Sequence, residues 1–194
     1  MSTSSQIASV GEEFPDELPE HHEIICGRLV RKALVSTEHA FVQQQLGVFL
    51  SPFYGRKRAP GGWWTFICPG IVLTADLHQY DPGSHWYEPD VAGWKINVVP
   101  ERPRGARVRV WPQWVCEVLS SSTAERDKGV KLDTYHRAHV DHYWLADPEK
   151  QTLTVLAWTE DGYQTILTAG PSDRVRAEPF AERELDLGWL FDFE

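Results

Sequence analysis

The segment Trp114–Ser120, WVCEVLS, surrounds one charged residue with apolar ones, and no other stretch limits the fold of this chain as strongly. A short apolar run rich in Val and Trp reads as a buried strand. Side chains alternate along a strand, so Glu117 shares a face with Val115 and Leu119, while Trp114, Cys116 and Val118 point the other way. One carboxylate is therefore carried into an apolar setting. Burying an unpaired ionised carboxylate costs several kcal/mol or shifts its pKa, so Glu117 needs a metal, a cation or a hydrogen-bond network as partner. The plain alternative is a structural ion pair at a strand edge.

The 194 residues suffice for one substantial core, and 42% hydrophobic content with nine Trp is the profile of a folded chain. Residues 1–19 are polar and acidic without periodicity and are expected to be a flexible lead-in to a single domain over 20–194. No run approaches the roughly 18 consecutive apolar residues of a membrane span, and the opening lacks the basic start and apolar middle of a signal peptide. A cytoplasmic protein with no membrane partner is the expectation. Cys26, Cys68 and Cys116 form no C-x-x-C pair, so neither a disulfide framework nor a thiolate zinc site is indicated, and Cys116 reads as a small core residue.

The net charge of −9 argues against a protein that coats nucleic acid non-specifically. Two short basic stretches run against that balance: Arg56, Lys57 and Arg58, then Arg102, Arg104, Arg107 and Arg109. The second is the candidate nucleic-acid-binding loop. Solvated loop charge is the competing reading for both.

Along the chain, EIICGRLVRKALV has the alternation and central Gly of a hairpin, and Ser36 or Thr37 can cap a helix running to Phe53 with Val42, Leu46, Phe49 and Leu50 at helical spacing. WWTFICPGIVLTADL reads as a strand pair or one strand bent at Pro69-Gly70, HQYDPGSHW as turns, and EPDVAGW as a strand entered through Pro89. After WVCEVLS, a helix is expected from Ser121 to His139, then a strand at HYWLAD and a hairpin of TLTVLAW and YQTILTA across EDG.

That second helix offers partners for Glu117, because Asp127, Lys131 and Tyr135 at i, i+4 and i+8 share one face. Asp90, at the start of the EPDVAGW strand, adds a second carboxylate. Two carboxylates on neighbouring strand ends suit a hard cation such as magnesium. His136, His139 and His142 have spacings within reach of a zinc ion, but the expected helix end near His139 and the lack of an acid for an open site weigh against it. Trp63, Trp64 and Trp86 lie near loops and either pack or stack on bases, packing being the safer reading.

These pieces together resemble the Uma-two family of restriction-endonuclease-like proteins, within the PD-(D/E)XK nuclease superfamily. The resemblance is carried by HHEIICGRLV, the helix with STEH, EPDVAGW, WVCEVLSSST followed by D-x-x-x-K-x-x-x-Y at Asp127, Lys131 and Tyr135, and HYWLADPE, in that order. It implies an α/β fold with an αβββαβ core, a mixed central sheet and a C-terminal β-hairpin. It also implies a metal-dependent endonuclease acting on nucleic acid, DNA before RNA, with magnesium or manganese held by Asp90 and Glu117. The superfamily Lys expected two residues after the acidic strand position is Leu119 here. Lys131 on the following helix takes its place in the resemblance, with Lys128 as the fallback. Glu23, His39 and Asp127 are accessory candidates. Replacing Lys131 by Met is expected to spare folding. Cutting both strands would need two sites, which a homodimer could supply by symmetry. The rival reading is a catalytically inactive nuclease fold kept for binding or scaffolding.

Overall fold

The computed structural model describes residues 17–192 except 33, 56–61, 74–84 and 122. Most of the expected lead-in lies outside the described residues, as do Arg56, Lys57 and Arg58. In chain order the elements are β1 (His22–Ile25), β2 (Arg28–Arg31), α1 (Thr37–Tyr54), β3 (Trp63–Ile67), β4 (Ile71–Leu73), β5 (His85–Tyr87), β6 (Val91–Lys95), β7 (Trp114–Val118) and α2 (Ala124–Lys128). There follow α3 (Val130–Arg137), β8 (His142–Asp147), β9 (Thr152–Thr159), β10 (Gly162–Ala169), β11 (Arg174–Val175), β12 (Leu185–Asp186) and α4 (Leu187–Phe191).

The central sheet has six strands in the order β10-β9-β8-β7-β6-β3. Only the β7–β8 pair is parallel, with Glu117 opposite Leu145, and the other neighbours are antiparallel. A parallel pair needs a crossover, and α2 and α3 supply it. The run α1, β3, β6, β7, α2–α3, β8 is the αβββαβ arrangement, and β9 with β10 is the C-terminal hairpin.

Alternation along β7 separates two cores. Trp114, Cys116 and Val118 pack with Val42, Leu46, Phe49 and Leu50 of α1 and with Phe180. Val115 and Leu119 pack on the opposite face with Tyr135 of α3, Tyr143 of β8 and Trp94 of β6. Glu117 therefore emerges on the α3 side of the sheet. The first helix begins at the expected capping residue, with Ser36 Oγ accepting from His39 N at 3.2 Å. Ser36→Ala should cost about 1 kcal/mol of unfolding free energy, the usual loss for such a cap, and a urea titration showing no loss would disprove the capping role.

Three expectations change. The helix anticipated over Ser121–His139 is two helices, because Gly129 (φ −115°, ψ −104°) breaks the ladder and returns its N–H to Arg126 O. A Cβ at Gly129 would sit 2.8 Å from the Glu125 carbonyl, so the break suits glycine. Of the two readings around Pro69-Gly70, two strands are found and not one bent strand, but they do not pair with each other: β3 belongs to the central sheet, while β4 joins a second sheet ordered β2-β1-β5-β4. Gly70 allows that passage, since a side chain there would press on the Ala106 carbonyl and on Trp86 Nε1. Within the stretch read as turns, residues 78–84 lie outside the described residues, but His85 and Trp86 belong to β5, a three-residue strand too short to show a period.

Candidate active site

Glu117, 3% exposed, is the residue around which the site is built. Its Oε1 accepts from Lys131 Nζ at 3.0 Å and from Tyr135 OH at 2.9 Å. Both donors come from α3, one turn apart, so the restart of the helix after Gly129 keeps them on the sheet side. Lys131 is itself only 4% exposed, and its ammonium lies 3.3 Å from Glu23 Oε1 and 3.4 Å from Asp127 Oδ1. One buried cation thus sits among three carboxylates from β1, α2 and β7.

Asp90 closes the arrangement from the start of β6. Its Oδ2 accepts the Val118 backbone N–H at 2.7 Å, which ties it to the β7 strand end, and its Oδ1 lies 2.9 Å from His39 Nε2 on α1. Glu23 is anchored in turn by the Glu88 N–H at 3.0 Å. Asp90, Glu117, Lys131, Glu23, His39 and Asp127 all line one cavity of about 40 Å³. That is room for a few waters at about 10–15 Å³ each.

Electrostatics follow from burial and crowding. Burial, the largest influence, acts with the charges of Asp127, Asp90 and Glu23 against the pull of Lys131, and the Glu117 carboxyl is held up at about 8. Asp127 is raised as well, again chiefly by burial. Burial disfavours the charge on Lys131, yet Glu117, Glu23 and Asp127 together outweigh that and hold its pKa well above the ordinary lysine value. Lys131 therefore keeps its proton, while burial above all raises the carboxyls of Glu117 and Asp127.

The donor set can be tested against a divalent cation. Asp127 Oδ1 is buried without a hydrogen bond, and negative groups outnumber cations around the cavity. Among the described residues there is no ready cluster of three His, Cys, Asp or Glu ligands. Magnesium commonly uses one or two carboxylates and completes its shell with water and substrate oxygens, so Asp90 and Glu117 fit a magnesium or manganese ion, whereas an all-protein calcium cage or a closed zinc site is not built here.

The model of the Uma2 family, described as a putative restriction endonuclease, matches residues 11–189. The chain belongs to the Uma2 family. Its fold is similar to a crystal structure described as a putative nuclease belonging to DUF820 from Anabaena variabilis, with a TM-score of 0.70, 20% identity, and coverage of 90% of this chain and 93% of that one. No match was found among curated proteins.

In this Uma2 chain the other residues singled out from the sequence fall elsewhere. Lys128 is exposed and does not line the cavity, whereas Lys131 does. Arg102 and Arg104 are exposed and line a different cavity, with Phe66, Ile67 and Val108. Arg107 and Arg109, on either side of the buried Val108, are half-buried. His136 Nε2 lies 2.7 Å from the Thr159 carbonyl, and the three histidines do not gather into a zinc site among the described residues. Trp63 and Trp86 are buried and Trp64 donates to Val99 O, so these rings pack and do not present themselves for base stacking. Two contributors had no signal in the spacing: Lys32 and Arg126. Tyr135 shares a helix face with Lys131 by spacing, and the distance to Glu117 shows that its hydroxyl is used.

Proposed function

We propose that this Uma2 protein is a divalent-metal-dependent endonuclease that hydrolyses phosphodiester bonds of nucleic acid, DNA being the favoured substrate. The observation that carries the reading is the convergence of Glu117, Asp90, Glu23, Asp127 and Lys131 on one small cavity at adjoining ends of β6 and β7. A structural ion pair needs one carboxylate per ammonium, and around this cavity the carboxylates outnumber the lysines and arginines.

Asp90 and Glu117 would hold magnesium or manganese, which supplies Lewis acidity toward water and phosphoryl oxygens. Val118 N–H and His39 fix the Asp90 carboxylate, and Tyr135 fixes Glu117, so neither needs to reorganise far. Lys131, held at the centre of the carboxylates, is placed to orient the attacking water or to offset charge gathering on the phosphate. Glu23 and Asp127 hold Lys131 in place.

The test is a cleavage assay on single- and double-stranded DNA and RNA with magnesium, manganese or EDTA. Expected are metal-dependent cuts in DNA that EDTA and Asp90→Asn each abolish. Cleavage that persists in EDTA would remove the metal-dependent reading. Binding without cleavage in any metal would leave the binding-module reading in its place.

The exposed Arg102 and Arg104 serve, on this reading, as backbone contacts beyond the cut. Reversing both to Glu should weaken DNA binding, and the plot of log affinity against log salt should flatten by about one for each phosphate no longer neutralised. Unchanged affinity and slope would assign those charges to solvent.

A further inference from the structure

A phosphodiester is an anion, and the cavity it must reach is lined by Glu23, Glu88, Asp90, Glu117 and Asp127. Lys131 cannot welcome it unaided, because its ammonium is already shared by three carboxylates within 3.4 Å. Two other cations line the same cavity: Lys32, just after β2, and Arg126, in α2. Their side chains are 21% and 25% exposed, so they stand at the mouth and not in the interior.

Arg126 is the more telling of the two. Its only partner among the described residues is Glu23 Oε2, at 3.8 Å, which is an ion pair too long for a hydrogen bond. A guanidinium has five N–H donors in a rigid fork that matches two phosphate oxygens at once. Here that fork is partly buried at the rim with no acceptor in hydrogen-bond range among the described residues. Lys32 Nζ donates to Glu88 O at 3.0 Å and lies 3.3 Å from Glu88 Oε2, which leaves one of its three donors for a ligand.

Resting on the nuclease reading above, we propose that Arg126 and Lys32 form the phosphate-binding pair of this site, taking a phosphate of the nucleic-acid backbone beside the carboxylates, Arg126 through two oxygens and Lys32 through one. The pair resolves how a chain of net charge −9 admits a polyanion, since the attraction is confined to the mouth of one cleft. It also separates two tasks: Arg126 and Lys32 act on the phosphate at the reacting position, Arg102 and Arg104 on backbone further along.

The experiment measures binding of a fluorescently labelled DNA oligonucleotide by anisotropy over a range of salt, in calcium, alongside steady-state cleavage in magnesium. Arg126→Gln, Lys32→Gln and the double variant are compared with wild type and with Arg174→Gln, an exposed cation beside β12 that serves as the charge-matched control. Each site variant should lose roughly tenfold in affinity, the usual worth of a charge-assisted hydrogen bond, and its salt slope should flatten by about one. Arg126→Gln should also lower kcat, whereas variants of Arg102 and Arg104 should act on KM. Arg126→Lys should restore the salt slope but not kcat, because a point charge lacks the fork. A double variant with wild-type affinity, slope and kcat, in a protein that does bind and cut DNA, overturns the phosphate pair and leaves the nuclease reading standing. Wild-type protein that neither binds nor cuts any oligonucleotide overturns both. Melting curves that match wild type are required of each variant, and one that melts early is replaced by the corresponding Met substitution, Arg126→Met or Lys32→Met, which keeps the stem.

Discussion

Lys131→Met should lower cleavage by about 100-fold or more, and it should also destabilise the metal-free protein by about 3–5 kcal/mol. The second half departs from what the helix pattern alone suggests, where a lysine on a helix face looks replaceable at little cost to folding. Lys131 is 4% exposed and lies within 3.4 Å of three carboxylates. Removing it strands those charges together in a low-dielectric pocket, and breaking a buried ion pair from one side typically costs that much. A divalent cation can replace part of the missing charge, so magnesium should recover stability in the variant without recovering full activity. Urea unfolding in EDTA and in magnesium, beside a cleavage assay, reads both effects. Lys128→Met, exposed on α2, should change neither. A Lys131→Met protein as stable as wild type in EDTA at pH 8 would show that the carboxylates shed their charge by taking up protons, and the counter-ion role of Lys131 would fall.

Why the sequence reveals Glu117 and conceals Arg126 is a matter of contrast. A single acid in an apolar strand breaks a period, and the period also predicts its face, which β7 confirms by splitting Val115 and Leu119 from Trp114, Cys116 and Val118. Lys131 and Tyr135 follow from helical spacing, and that spacing survives the break at Gly129 because both lie after it. The break itself leaves no mark in the pattern, since one Gly inside a helical stretch is usually tolerated. Lys32, Arg126 and the second sheet are equally unmarked. Lys32 ends a short hairpin and Arg126 sits in a charged helix, where any cation looks like solvated surface. Their meaning depends on β1 bringing Glu23 beside α2, a pairing between residues about a hundred positions apart that no local pattern encodes. The strand β5 joins β1 to β4 through short registers, so the sheet that carries Glu23 is just as hard to read from the chain.

Stability of the metal-free protein should fall as pH rises from about 5 to about 8, and magnesium should cancel much of that fall. Burial and the neighbouring carboxylates raise Glu117 in the folded protein to about 8, above its ordinary value of 4.5. A carboxyl raised in this way binds its proton more tightly when folded, so its contribution is fully present below the unfolded pKa and is lost as pH climbs through the folded one. Asp127 is shifted in the same direction and adds to the slope. Lys131 is raised above 10.5, so its contribution stays constant across this window and begins to fade only above that value. A cation held by Asp90 and Glu117 favours the ionised form, which means that magnesium has to displace a proton at pH 5.5 but not at pH 8.5. The rise in Tm on adding magnesium should therefore be larger at pH 8.5, where a ligand at about 100 times its Kd stabilises by about 2.7 kcal/mol. Glu117→Gln carries no titrating proton, so both the pH slope and the pH dependence of the magnesium effect should shrink in that variant. Thermal melts at the two pH values, with EDTA or magnesium, decide the matter: equal magnesium shifts at both, unaffected by Glu117→Gln, would take the cation away from Glu117.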